Sequence, residues 1–430
     1  MGRIGRRGFV VAAAGALAAL ATTGEAAASA TRSSAGAGTP GGGVPMGRAA
    51  QGKRATREFR GMWLATVGNR DWPSVPGLSA AEQRAELLAR LDTAVERRLN
   101  AVMFQVRPTA DALWPSPYEP WSQYLTGVQG RHPGWDPLGT AVREAHRRGL
   151  ELHAWFNPYR VAIHADPSRL VPCHPARQHP DWIVPYGGRL YYNPGIPEVR
   201  AFVEDAILDA VRRYDIDAVH FDDYFYPYPV AGQYFDDDAA WARYGRGYRD
   251  RAAWRRANVN LLVRETGARI TRMKKQVRFG ISPFGVWRNA STDPAGSRTT
   301  AGVQTYDDLY ADTRRWVRQG WIDYVVPQVY WHMGFAAADY STLVPWWSAV
   351  ADGTGVDLYI GEALYKVGVQ GQPAAWHDPA ELSRHLTYAS QYPQVRGHCF
   401  FSALEVGADP LGAMTKVVED HYPTRVRTGG

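Results

Sequence analysis

A chain of 430 residues with 45% hydrophobic and 21% charged side chains has the make-up of a soluble globular protein with an ample core, which excludes a disordered or fibrous chain. Its formal charge of +7 is scattered, with Asp307, Asp308 and Asp312 interleaved among Arg314, Arg315 and Arg318, so no basic stripe marks a nucleic-acid surface and no nucleic-acid partner is expected. Sixteen Trp and 23 Tyr, without an apolar run long enough for a confident bilayer span, point either to a cleft lined with flat rings or to a large core that consumes them.

Met1 to Ala30 reads as a targeting segment rather than part of the fold. Arg6-Arg7-Gly8-Phe9-Val10 resembles a twin-arginine export signal, Val10 to Ala21 is its apolar part, and Ala26-Ala27-Ala28 or Ala28-Ser29-Ala30 offers small residues for cleavage. The protein is therefore expected to be secreted or associated with the cell wall, with no stable membrane insertion once the segment is removed. Residues 31–56, rich in Gly, Ser, Ala and Pro, read as a flexible linker. Residues 57–425 read as one continuous domain, and Cys173 and Cys399 as unpaired thiols.

Within that domain strand-like and helix-like segments alternate. The strands are expected at Phe59–Ala65, Ala101–Val106, Glu151–Phe156, Ala218–Phe221, Val277–Ser282, Tyr324–Gln328, Leu358–Glu362 and Gly397–Phe401. The helices are expected at Ala80–Leu99, Pro137–Arg148, Pro197–Tyr214, Trp254–Lys275, Tyr306–Gln319, Asp339–Val350, Pro379–Gln391 and Pro410–Asp420. Alternation implies right-handed crossovers and a parallel sheet, and eight repeats match a closed (β/α)8 TIM barrel. A doubly wound open sheet is the alternative, but no Gly-rich phosphate fingerprint follows the first strand. The long loops 107–135, 157–196, 222–250 and 283–305 follow strands, and in a barrel that end carries the active site.

The most informative stretch is Ala218-Val-His-Phe-Asp-Asp-Tyr-Phe-Tyr-Pro-Tyr-Pro229. Two adjacent acids close a short apolar strand, followed by Tyr224, Phe225, Tyr226 and Tyr228. A helix N-cap would need one Asp and no tyrosine cluster. Alternation puts His220 and Asp222 on one side, with Asp223 reaching the cleft through a turn. Carboxylates so close resist ionising together, which lifts one into the range of a useful acid. Such a pair suits substrate-assisted cleavage of N-acetylhexosaminides, in which one Asp holds the acetamido N–H and the other protonates the leaving oxygen. The rival arrangement pairs Asp222, as nucleophile or base, with Glu362 or Glu405.

Other strand ends carry polar and aromatic groups: Gln105 and Arg107; His153, Trp155, Asn157, Tyr159 and Arg160; Ser282, Phe284, Trp287 and Arg288; Gln328, Tyr330 and Trp331. Singly each is as well explained by packing; their recurrence at several strand ends is the signal. His153, His220 and Asp222 could form a metal site of the deacetylase kind, yet no His-x-x-x-His spacing supports it, and no metal or cofactor is expected.

Six segments resemble a known bacterial family: Arg57-Glu-Phe-Arg-Gly-Met-Trp63, Phe104-Gln-Val-Arg-Pro108, His153-Ala-Trp-Phe-Asn-Pro-Tyr-Arg160, His220-Phe-Asp-Asp-Tyr-Phe-Tyr-Pro227, Gly280-Ile-Ser-Pro-Phe-Gly-Val-Trp-Arg288 and Val326-Pro-Gln-Val-Tyr-Trp331. The family is the glycosyl hydrolase-like family ten of barrel proteins, and the likeness runs from about Arg57 to Leu404. It implies a glycosidase fold and action on bacterial glycans, in particular peptidoglycan strands stripped of their peptides, whose sugars are N-acetylated. The expectation is an exported glycoside hydrolase with a polysaccharide partner. Asp223 would be its general acid and Asp222 the group orienting the acetamido, the two roles being exchangeable; Glu362 is a further candidate acid. Tyr224, Tyr330, Trp155 and Trp331 would stack on sugars, and Arg107, Asn157 and Gln328 would bind hydroxyls or a lactyl carboxylate. The alternatives are a non-catalytic wall-binding barrel and a metal-dependent polysaccharide deacetylase.

Overall fold

The computed structural model describes residues 58–426; the export signal and linker expected over residues 1–56 lie outside the described residues. Eight parallel strands close into a barrel: β1 (Phe59–Leu64), β2 (Ala101–Arg107), β3 (Glu151–Phe156), β4 (Ala218–Phe221), β5 (Arg278–Ile281), β6 (Tyr324–Val325), β7 (Asp357–Glu362) and β8 (Val395–Phe400). Each strand pairs with its neighbours in chain order, and Phe59 to Met62 of β1 pair with Gly397 to Phe400 of β8 to complete the ring. The strands are apolar almost throughout because one face meets the lumen and the other the helices; all seven residues of β2 are buried.

Local chemistry sets the helix starts. Ser79 and Glu82 form a capping box at the head of α1 (Ala80–Glu96). Asp136 accepts from the Gly139 amide at the head of α2 (Pro137–Arg147), which opens on a proline, as does α3 (Pro197–Arg213). Asp250 caps α4 (Arg251–Met273) by accepting from the Ala253 amide.

Three expectations needed correction. The sixth strand is only two residues long, because Pro327 has no N–H to extend the ladder; Gln328 resumes it as isolated bridges to Phe284 and Gly361. The helix expected over 306–319 breaks at Tyr310, whose φ is 53°, and restarts as α5 (Thr313–Arg318) with Asp312 as its cap. The long loop after β3 holds an unforeseen antiparallel sheet of Arg160–Ala162, Ile183–Tyr186 and Arg189–Tyr192. Its hairpin turns on Gly187 and Gly188, both with positive φ, a Gly-Gly pair between two strand-like runs.

Phe59, Trp63, Met103, Trp155, Tyr324 and Tyr359 pack together inside the lumen, apart from the larger core between strands and helices. Cys173 is exposed, Cys399 is buried in the lumen, and both are free. Among the described residues no helix is long and apolar enough to cross a membrane. Gly280 leaves the space that the Tyr324 ring fills: a Cβ there would lie 2.1 Å from ring atoms. Gly280→Val is therefore expected to cost about 1–3 kcal/mol by overpacking, read as a lower denaturant midpoint; an unchanged midpoint would show that the ring can move aside.

Candidate active site

Asp222 and Asp223 follow directly on β4 at the C-terminal mouth of the barrel and lean to opposite neighbours. Asp222 turns to the third strand end. Trp155 Nε1 donates to its Oδ2 at 3.0 Å, Asn157 Nδ2 donates to both oxygens at 3.1 and 3.0 Å, and the Tyr224 amide lies 3.3 Å from Oδ1. Asp223 turns to the sixth strand end. Gln328 Nε2 donates to its Oδ1 at 3.1 Å and to the Ser282 carbonyl at the same distance, while the Tyr228 hydroxyl holds Oδ2.

Both acids are almost wholly buried, 3% and 5% exposed, and this decides their ionisation. Burial, and next the charge of Asp223 beside it, push the Asp222 carboxyl up to about 7, against the pull of Arg160. Burial also raises Asp223, opposed by its bonds to Tyr228 and Gln328. Like charges this close oppose ionising together, so the two carboxyls titrate jointly and above their ordinary range.

Arg160 stands beside this pair. Its Nε donates to the Pro108 carbonyl at 3.1 Å, its amide to Asn157 Oδ1 at 2.8 Å, and its guanidinium lies 5.2 Å from the Tyr224 ring centre. Edge-to-face contacts then link Tyr224 to Tyr228, Tyr228 to Phe284 and Phe284 to Trp331, a partly exposed aromatic rim. Tyr330, at the same strand end, is 7% exposed and packs near Tyr365 and Phe401.

Several anticipated ligand contacts are supports instead. Arg107 is fully buried, its fork donating to Glu119 at 2.6 and 2.5 Å and its remaining nitrogen to the carbonyls of Asn157 and Pro158, so it braces the loop that presents Asn157. Tyr159 is also fully buried, in the outer core. His153 and His220 lie in the lumen, each two residues below Trp155 and Asp222 on its strand. Trp63 Nε1 can only donate, so His220 Nε2 accepts from it at 3.2 Å, with Ser282 Oγ at 3.0 Å. His220 Nδ1 then donates to the Tyr324 hydroxyl at 3.2 Å, which donates to His153 Nδ1 at 2.9 Å, leaving His153 Nε2 to donate to Glu151 at 3.0 Å. Burial, helped by the neighbouring His153, holds His220 well below the usual imidazole range. Neither ring has a lone pair left for a metal in this arrangement. Among the described residues no three His, Cys, Asp or Glu side chains group to hold one.

Glu362 does not join the acids. It follows lumen-facing Gly361 and so points outward, where the Tyr340 hydroxyl donates to it at 2.8 Å and His385 and His398 lie 2.9 Å away. Glu405 is held by Arg70 at 2.9 Å to both oxygens. The sequence reading overlooked Trp63 and Tyr324, whose inward positions on β1 and β6 were the signal, and the bond from Tyr228 to Asp223, which had none.

A parallel barrel of eight strands with an acid pair at its C-terminal mouth, walled by aromatic and amide groups, has the build of a glycoside hydrolase. Residues 58–378 match the family described as Glycosyl hydrolase-like 10, and the chain belongs to that family. Glycosyl hydrolase YngK of Bacillus subtilis (strain 168) is 51% identical over 371 residues, 86% of this chain and 72% of that protein. Glycosyl hydrolase DigH of Escherichia coli (strain K12) is 40% identical over 369 residues, 81% of this chain and 84% of that one. Among solved structures, α-L-fucosidase isoenzyme 2 from Paenibacillus thiaminolyticus shares the fold with a TM-score of 0.53 at 12% identity; the match covers 86% of this chain and half (50%) of that one. The protein is a glycoside hydrolase.

Glu362 separates structural from chemical roles experimentally. Burial alone would raise its carboxyl, but His385 and then His398 pull it down to about 2. A folded value below the ordinary 4.5 means that its stabilisation is present above pH 4.5 and is lost as the pH falls toward 2. Glu362→Ala, which strands buried histidines, is expected to cost about 3–5 kcal/mol and to flatten that acid limb in pH-dependent unfolding. Glu362→Gln is expected to lower the melting temperature with kcat within a few-fold of wild type; a loss of a thousandfold in folded enzyme would return Glu362 to the chemistry.

Proposed function

We propose that this enzyme is exported and hydrolyses glycosidic bonds in an N-acetylated bacterial polysaccharide, with peptidoglycan glycan strands lacking stem peptides as the substrate. The observation that carries the reading is the buried, adjacent pair Asp222 and Asp223 at the barrel mouth, whose burial and like charges oppose ionisation of both. Asp222 is surrounded only by N–H donors, from Trp155, Asn157 and the Tyr224 amide, which favour its charged form. Asp223 Oδ2 faces the Tyr228 hydroxyl, which can turn to accept, so the shared proton belongs on Asp223.

The steps follow from that assignment. The acetamido carbonyl oxygen of the substrate attacks its own anomeric carbon, the bond from that carbon to the leaving oxygen breaks, and the leaving oxygen takes the proton of Asp223. Asp222 accepts the acetamido N–H and stabilises the cyclic cation that forms. Water then adds to the anomeric carbon as the bond from that carbon to the acetamido oxygen breaks, which restores the acetamide, and the water gives a proton back to Asp223. Trp155 and Tyr224 wall the sugar, with Trp331 and Tyr330 further along the rim. Among the described residues Arg160 has no carboxylate within 4.0 Å, which leaves it to meet the free lactyl carboxylate exposed when a stem peptide is removed. Residues 1–30, with paired arginines ahead of an apolar run, agree with export to that substrate.

Incubation with intact and peptide-free peptidoglycan, chitin oligomers and plain glucans, with products identified by mass, tests the reading. Products are expected from the N-acetylated glycans, and products from plain glucans alone would overturn substrate assistance. Asp223→Asn is expected to lower kcat/KM by about a thousandfold, within the usual range for a lost general acid. Because the pair must keep its proton for Asp223 to deliver, and burial and mutual repulsion raise both carboxyls, turnover is expected to fall as the pH rises through neutrality and the pair ionises fully. Arg160→Met is expected to raise KM about tenfold for peptide-free peptidoglycan, as loss of a charge-assisted bond would, and much less for chitin oligomers, which lack the lactyl group; equal losses would sink the carboxylate assignment.

A further inference from the structure

A second feature lies on the flank of the barrel, away from the acid pair. A groove of about 340 Å³ runs between α4 and α5. One wall is a single face of α4, on which Ala253, Arg256, Ala257, Asn260 and Arg264 recur at helical spacing. The two alanines leave the groove its depth. Tyr306, Arg315 and Trp321 form the other wall.

The groove concentrates arginines that have no ion-pair partner in contact. The ion pairs of this region go to Arg249, Arg251, Arg255 and Arg288. Among the described residues Arg256, Arg264 and Arg315 have no carboxylate within 4.0 Å. Arg256 is only 9% exposed; its guanidinium lies 4.2 Å from the Tyr306 ring centre and donates to the Tyr306 carbonyl at 3.3 Å. Arg315 lies 5.3 Å from the Trp321 ring centre. Rings beside a guanidinium support its face and leave N–H groups at its edge for an anion. The acid in the groove, Asp312, accepts from Trp287 Nε1 at 3.2 Å and from the Arg315 amide at 3.4 Å, which engages it in capping α5; Arg315 and Arg256 also feel its charge, without ion-pair contact. Tyr248, 38% exposed at the upper end, offers a flat face to a sugar.

We infer that this flank groove is a second saccharide site, which holds an anionic polysaccharide through Arg256, Arg264 and Arg315. Helices of a barrel start near the C-terminal mouth, so the groove descends from the active face along the outer wall. A chain molecule held there stays close to the mouth without entering it.

The test uses the full chain carrying Asp223→Asn, so that no probe is consumed. Binding is measured by calorimetry to polygalacturonate, to poly(glycerol phosphate), to neutral dextran and to polyglutamate, a polyanion without sugar. One or both anionic saccharides are expected to bind, with affinity falling as salt rises, and the stronger binder identifies carboxylate or phosphate as the anion. Arg264→Ser with Arg315→Ser is expected to weaken that binding at least tenfold, while the same pair in active enzyme leaves turnover of short chitin oligomers unchanged. Arg143→Ser with Arg147→Ser, an exposed pair on α2, is expected to change binding less than twofold. Equal losses from the two pairs, polyglutamate binding as tight as the saccharides, or no saccharide binding at all would each overturn the inference.

Discussion

Two carboxyl groups on neighbouring residues are withdrawn from water at the barrel mouth, and among the described residues no lysine or arginine approaches either within 4.0 Å. An isolated buried carboxylate costs several kcal/mol, and two side by side cannot both be charged. The fold meets this with neutral donors in direct contact and with the charge of Arg160 further off. Trp155 and Asn157 serve one acid from the third strand, and Gln328 with Tyr228 serves the other. The remaining cost is relieved by raising both carboxyls above their ordinary range, Asp222 to about 7. A lysine within bonding distance would have stabilised the folded state and discharged the acid.

Much of the surrounding structure keeps those donors in place. Asn157 is on a loop whose carbonyls are gripped by Arg107, and Arg107 is anchored in turn by Glu119. Gln328 is aimed by the Ser282 carbonyl and by backbone bridges to both adjacent strands. These are bonds between loops of different strands, so the mouth is braced around its rim as well as by the barrel beneath. Such bracing suits a site whose geometry has to be held before substrate arrives.

The alternation of elements made the barrel legible from sequence, and the run from His220 to Tyr228 made the acid pair legible, because both signals are local. What escaped was mostly non-local. That Glu362 faces outward depends on which parity of β7 enters the lumen, and Gly361 gives the answer only once the Trp63 ring is known to fill the space beside it. Arg107 looked free because nothing nearby in sequence pairs with it; Glu119 sits in a loop twelve residues on. The break at Tyr310 reflects tertiary context overriding a helical pattern. The hairpin at Gly187 and Gly188, by contrast, was available in the sequence and was passed over within a long loop.

The hydrogens below the acid pair run in one sense. Trp63 can give and never take, so the order of bonds through His220, Tyr324 and His153 to Glu151 is set from one end. The ring directly below Asp222 on β4 therefore insulates the site from beneath: held well below the usual imidazole range and accepting at Nε2, His220 has no second proton to pass to the mouth. Protons for catalysis must come and go on the solvent side, along the same path as the sugar.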